Sequence, residues 1–302
     1  MFSRRHPYLF FLLVFTAMIA GSSVIVALLT MAGNFRSGTL FAKKVGVIEI
    51  KGVIADSRPV LEQIINFRKN DDIKAIVIRI ESPGGGVGPS QEIFRELQKT
   101  VKEKKVIASM GAIAASGGYY IAAATDGIVA NPGTITGSIG VILGYTNFEA
   151  LFEKIGLYPV VIKSGQYKDM GSPVRKMTAS EQALLQGFSD NVHSQFIRDV
   201  ATGRRQSEDE IRKIADGRIF SGETAKSLGL IDRLGNFEDA IEWAGKLGGI
   251  TGEIEVVYPP EKKAPFMKYL LESTAEQINE TVCRWGTSVI TGGYLYQPDI
   301  GR

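Results

Sequence analysis

Ala75-Ile76-Val77-Ile78-Arg79-Ile80, followed directly by Glu81 and then by Ser82-Pro83-Gly84-Gly85-Gly86, decides the architecture of this chain. So continuous an apolar run reads as a strand covered on both faces, which is how strands of a parallel sheet are packed. The proline and glycines stop the strand and hand the chain to a helix expected from about Pro89 to Lys102. Upstream, Val45–Ile50 reads as a strand, and Val60, Leu61, Ile64, Ile65 and Phe67 form a helical stripe within 57–68. Downstream, Val106–Met110 is another strand, and Ala114-Ala115-Ser116-Gly117-Gly118 opens a small-residue helix running to Ala124. Shorter strands are expected at Gly127–Ala130, Ser138–Leu143 and Pro159–Lys163, with a helix at Asn147–Ile155. From Thr178 the pattern is mostly helical: Thr178–Thr202, Glu208–Ala215, Gly222–Leu228 and Asn236–Leu247. Strands alternating with helices in this way predict an α/β fold with a largely parallel sheet.

Composition narrows the class further. The 302 residues are 44% hydrophobic and 22% charged, with 34 glycines, which excludes a disordered chain, a collagen-like repeat and a disulfide scaffold. A formal net charge of +3, without any Lys/Arg run, gives no footprint for nucleic acid. The single cysteine, Cys283, forms neither an intrachain disulfide nor a multi-cysteine metal site, and no His/Cys/Asp/Glu cluster has ligand spacing, so no metal or cofactor is expected.

Residues 8–32 carry no charge and would span roughly 37 Å as a helix, enough to cross a hydrocarbon core of about 30 Å. Apolar sequence resumes from Val24 to Met31 after the small residues at 20–23, which favours an uncleaved transmembrane anchor over a cleaved signal. Arg4 and Arg5 directly before the span place the N-terminus in the cytoplasm and the rest of the chain on the extracytoplasmic side of the inner membrane. The expected organisation is a cytoplasmic stub and anchor at 1–33, a linker at 34–44, a catalytic domain at 45–260 and a helical appendage at 261–302. In that appendage Met267, Leu271, Ala275, Ile278, Val282 and Trp285 recur at helical spacing.

The chemistry follows by elimination. A Ser-His-Asp arrangement needs a histidine beside its nucleophile, but His6 precedes the apolar span and His193 reads as a helical surface residue. A hydrolase here would need a lysine or a carboxylate as its base. Two glycine-rich turns at strand ends stand out. In Ser82-Pro83-Gly84-Gly85-Gly86, glycines let backbone N–H groups approach a reacting carbonyl closely. In Ala115-Ser116-Gly117-Gly118-Tyr119-Tyr120, a serine stands at a strand-to-helix junction with the Gly117 N–H beside it. Alone, each turn is equally readable as a phosphate cradle or a simple reversal. The third feature is Lys163-Ser164-Gly165-Gln166-Tyr167-Lys168-Asp169; a lysine acts as general base only when desolvated, and a lone lysine is ordinarily a solvated charge.

Taken together, these segments and Gly133-Thr134-Ile135-Thr136-Gly137-Ser138-Ile139-Gly140 resemble the signal peptide peptidase A family of membrane-bound serine proteases in its short, single-copy form, which shares the Clp protease/crotonase fold. The resemblance covers about Val45 to Leu247. It implies Ser116 as nucleophile, Lys168 as general base, Ser138 as the group that orients the lysine, and backbone N–H groups of Gly84 or Gly85 and of Gly117 as oxyanion donors. It also implies extended apolar peptides as substrates, above all remnant signal peptides. A homo-oligomeric ring, in which Lys168 of one subunit can serve Ser116 of another, is implied as well. The rival readings are a crotonase-type acyl-CoA enzyme, which would need neither the anchor nor Ser116 with Lys168, and an inactive membrane scaffold of the same fold.

Overall fold

The computed structural model describes residues 8, 15–25 and 43–260, and the backbone of 293–295. The chain divides into two units, 1–42 and 43–302. In the first, residues 15–25 are helical with exposed side chains, and among the described residues no helix is long and apolar enough to cross a membrane. Most of the expected span at 8–32 lies outside the described residues, as do the linker at 34–42 and, apart from 293–295, the appendage at 261–302.

The second unit begins with β1 (Lys44–Lys51), α1 (Arg58–Lys69), β2 (Ile73–Ser82), β3 (Gly84–Gly86), α2 (Val87–Thr100), β4 (Lys105–Ala115) and α3 (Gly117–Ala122). It continues through β5 (Gly127–Ala130), β6 (Ile135–Gly137), α4 (Glu149–Lys154), α5 (Ala179–Arg204), α6 (Glu208–Arg212) and β7 (Ile219–Ser221). The last elements are α7 (Gly222–Ser227), β8 (Arg233–Leu234), α8 (Phe237–Leu247), β9 (Glu255–Val257) and β10 (Gly293–Leu295). The main sheet runs β7-β6-β4-β2-β1-β9, with β5 added beside β4 and β8 beside β5. The long strand β4 forks the sheet: Ile107–Met110 pair with β5, whereas Ile113–Ala115 pair with β6. Every pairing in this sheet is parallel except β6 with β7, as the alternating pattern predicts.

Successive residues of the central strands point to opposite faces. Ile48, Ile50, Ile76, Ile78 and Ile80 pack against α1, α2, α3 and α5, while Val45, Val47, Ala75, Val77 and Ile107 pack against Ala240, Ile241 and Ala244 of α8. Ile76, Ile78 and Ile80 are fully buried, each contributing about 1.5–3 kcal/mol relative to exposure. This double cover explains why β2 lacks polar alternation.

The sequence pattern fails between β6 and α5. The strands expected at 138–143 and 159–163 do not form. Ser138 sits at φ 52°, which ends the extended backbone, and Val160 and Ile162, 86% and 97% exposed, find no strand to pair with. The stripe of β-branched residues there is real but unpaired among the described residues.

Two tyrosines anchor α3 in the core. The Tyr119 hydroxyl donates to the Leu230 carbonyl at 2.9 Å, and the buried Tyr120 hydroxyl donates to Asp199 of α5, which also receives Arg95 at 3.1 Å. Tyr120→Phe keeps the ring between Phe94 and Phe196 but leaves the Asp199 carboxylate one donor short. Denaturant unfolding is expected to show a loss of about 1–3 kcal/mol.

Candidate active site

Ser116 occupies the single residue between the end of β4 and the start of α3. Its φ of 54° and ψ of −117° lie where a residue with a side chain is rarely found, a conformation that costs about 1–3 kcal/mol and persists only when the surroundings impose it. They do so here: the Ser116 N–H donates to Gly137 O at 2.8 Å, and its carbonyl accepts the Tyr120 N–H at 2.9 Å. The strand–serine–helix turn is a sharp, strained elbow, a form that projects a hydroxyl at the end of a sheet. Ser116 is almost fully buried, and no described group bonds its hydroxyl.

The glycine turn lies against this elbow. A Cβ on Gly117 would come within 2.6 Å of Ser90 Oγ and 3.3 Å of both Gly84 Cα and the Gly85 nitrogen, so the two turns pack closely here. Gly84 adopts φ 108°, open to glycine alone, and its N–H donates to Ser82 Oγ at 3.1 Å. On one edge of β3, Ile54 N–H donates to Gly84 O at 2.9 Å and Gly86 N–H to Ile54 O at 2.8 Å. Strand alternation turns the Gly85 N–H and C=O to the opposite edge. There β10 pairs antiparallel, with Tyr294 opposite Gly85. Of the three expected oxyanion donors, Gly84 is thus engaged by Ser82. Gly85, whose N–H faces the edge that β10 occupies, and Gly117, a first-turn amide, lie beside the elbow.

Ser138 reaches the same place by strand pairing. It follows Gly137, which lies opposite Ala115 in the β4–β6 ladder and accepts the Ser116 N–H. Like Ser116 it holds positive φ and is buried, and no described group bonds its hydroxyl. Lys168 is not brought to this cluster within one chain. It is exposed, on a turn whose backbone N–H reaches Gly165 O at 3.4 Å, and makes no hydrogen bond to Ser116 or Ser138.

The neighbouring carboxylate does not fold back on it: Asp169 is held by Arg175 and Lys163, whose hydrogen bonds keep it well below the usual carboxylate range. His193 lies on α5, half-buried, with Nε2 shielded and unbonded among the described residues, so it is less solvated than its polar neighbours suggest. Among the described residues no group of His, Cys, Asp and Glu side chains could hold a metal ion. The ion-pair cluster of Asp169, Arg175 and Glu181 was not legible in the sequence. Only its last member carried a signal, the Thr178-x-x-Glu181 capping box at the start of α5.

Comparison with known proteins gives the family. The model of Peptidase family S49 matches residues 98–251, a stretch that includes Ser116, Ser138 and Lys168. The chain belongs to peptidase family S49. A predicted protease of Synechocystis sp. is 46% identical to this S49 chain over 235 residues, 76% of the chain and 84% of that protein. A predicted signal peptide peptidase SppA of Enterococcus faecium is 35% identical over 230 residues, 72% and 67% of the two chains. The chloroplastic serine protease SPPA of Arabidopsis thaliana is 33% identical over 256 residues, 84% of this chain but 36% of the larger plant protein. The Clp protease model matches residues 42–134, from β1 through the elbow, consistent with a Clp protease-like α/β fold. The S49 chain is a serine protease of the SppA family.

Proposed function

We propose that this S49 protease is a membrane-anchored endopeptidase that degrades remnant signal peptides and other extended apolar peptides. In this reading Ser116 is the nucleophile and Lys168 its general base. The observation that carries it is the strained Ser116 elbow seated against the glycine edge of β3, with the Gly85 and Gly117 amides beside it. The pairing of β10 on that edge supports a peptide occupant, because the same backbone groups that accept Gly293–Leu295 would accept a substrate strand.

Neutral Lys168 takes the Ser116 proton as the hydroxyl oxygen attacks the peptide carbonyl, and the resulting oxyanion is met by the Gly85 and Gly117 N–H groups. Collapse breaks the C–N bond, the leaving amine takes the proton back from Lys168, and water then resolves the acyl-enzyme with Lys168 again as base. Ser138 orients the amine. The Lys168 that serves each Ser116 comes from a second copy of the chain in a ring. The support is the surface around it: Phe148, Leu157, Tyr158, Val160, Val161 and Ile162 are all exposed on the segment bearing Lys168, more apolar surface than a lone subunit ordinarily leaves in water. Residues 8–32 would hold the assembly in the inner membrane with its N-terminus in the cytoplasm, putting the sites where spent signal peptides lie.

Mixing tests the shared site. Full-length Ser116→Ala and Lys168→Ala chains, each inactive alone, are expected to recover about a quarter of wild-type cleavage when co-assembled at equal ratio, since only interfaces with both intact donors work. No recovery from rings shown by tagging to contain both chains would place Lys168 on its own chain's Ser116.

A further inference from the structure

We infer that Arg175 is a positioning residue for the general base: it moors the loop that bears Lys168 to the start of α5, and turnover depends on that mooring. This rests on the reading of Lys168 as base. Between Lys163 and Thr178 only Gly171 is buried, so the loop has no apolar core to hold it. One guanidinium makes six of the hydrogen bonds that tie it. Arg175 Nε and Nη2 donate to the two carboxylate oxygens of Asp169 at 2.8 and 2.9 Å, and Nη2 also reaches the Asp169 carbonyl at 3.2 Å. Both side chain and main chain are thus gripped one residue from Lys168. The other side of the fork holds Glu181: Nη1 donates to Oε2 at 2.9 Å and Nη2 to Oε1, while Nη1 also takes the Lys176 carbonyl at 3.0 Å.

Glu181 is a firm post. Its side chain is 3% exposed, it accepts the Thr178 N–H at 2.9 Å in the capping box, and α5 is buried through Val192, Phe196, Ile197 and Val200. Lys163 adds a second tie, pairing with Asp169 and donating to Gln166 O at 3.0 Å. Hydrogen bonds from Arg175 and the Thr178 amide hold the Glu181 carboxyl down at about 2, so the post stays charged wherever a neutral amine can act. Isolated exposed ion pairs add little to folding. A fork gripping two carboxylates and two carbonyls fixes direction, which an amine that must meet a hydroxyl on another element needs.

The test uses full-length chain in detergent. Arg175→Ala is expected to lower kcat about 10²-fold, the scale of a base misplaced by an ångström, with KM changed less than about twofold and ring assembly intact. Arg175→Lys keeps the charge but cannot fork across two carboxylates; it is expected to restore the melting temperature and leave kcat low, a separation that a purely structural role would not produce. Unchanged kcat in folded Arg175→Ala, or a kcat that recovers in step with melting temperature, overturns the inference. Should Arg175→Ala fail to fold, Asp169→Asn decides, since it keeps the Arg175–Glu181 pair: about a tenfold fall in kcat supports the mooring, and unchanged kcat refutes it. An active Lys168→Ala refutes the base assignment itself. An inactive Lys168→Ala with fully active Arg175→Ala refutes only the mooring.

Discussion

Ser116→Ala is expected to abolish cleavage of a Leu- or Ala-containing peptide, with kcat falling about 10⁶-fold, as when a serine protease loses its nucleophile. The fold should be untouched. No described group bonds the Ser116 hydroxyl, so its removal strands no partner, and alanine at φ 54° is no more strained than serine. Lys168→Ala should fall nearly as far, because in the proposed mechanism acylation and deacylation would both route their proton through that amine. Being exposed in one chain, Lys168 contributes no packing whose loss would confuse the result. Steady-state cleavage by the full-length protein in detergent, alongside circular dichroism and sizing of the assembly, makes the check. Undiminished turnover in folded, assembled Ser116→Ala would remove the elbow from the chemistry, whatever its strain.

The central strands and both glycine turns were legible because their causes are local. The alternating faces of β1 and β2 are written in Val45, Val47, Ile48 and Ile50, and the serine before Gly117-Gly118 marks a strand end turning into a helix. Where the outcome depends on partners far along the chain, reading failed. β6 and β7, three residues each, are too short for periodicity, and their pairing brings together segments more than 80 residues apart. Val160 and Ile162 look like strand residues because β-branched side chains suit a sheet, yet among the described residues no strand pairs with them. The helical pattern in the tail gave no hint of Gly293–Leu295 as a strand, since its partner, Gly84–Gly86, is itself a glycine run without alternation. For the site, residue types were readable and conformations were not. Nothing in the composition of 133–140 tells that Ser138 holds positive φ beside Ser116, and Arg175 sits in an irregular stretch where no periodicity singles it out.

Gly85→Ala should be the most damaging change that leaves every side chain of the site in place. An alanine Cβ there would stand 2.3 Å from Ile54 O and 2.5 Å from Ile54 N, and both are backbone atoms that cannot rotate away. β3 must therefore move off Ile54, giving up the bonds at 2.9 and 2.8 Å that fix Gly84 and Gly86, and the Gly85 N–H moves with it. Losing one aligned oxyanion donor lowers kcat about 10²- to 10³-fold, about 2.7–4 kcal/mol of transition-state stabilisation. KM should rise as well, because the same edge is where the substrate backbone would pair. Gly88→Ala, in the first turn of α2 with nothing within 4 Å of the new methyl, is the matched control and should be silent.

Gly117→Ala separates steric cause from chemistry. Its Cβ meets Ser90 Oγ at 2.6 Å but backbone only at 3.3 Å, so most of the conflict is with one hydroxyl, itself bonded to Gly86 O at 2.9 Å. Adding Ser90→Ala should recover part of the activity of Gly117→Ala and none of that of Gly85→Ala. Equal rescue of both would mean that crowding alone, rather than displacement of the Gly85 amide, had slowed the enzyme. A folded Gly85→Ala with wild-type kcat would mean that the glycine edge plays no part in stabilising the oxyanion.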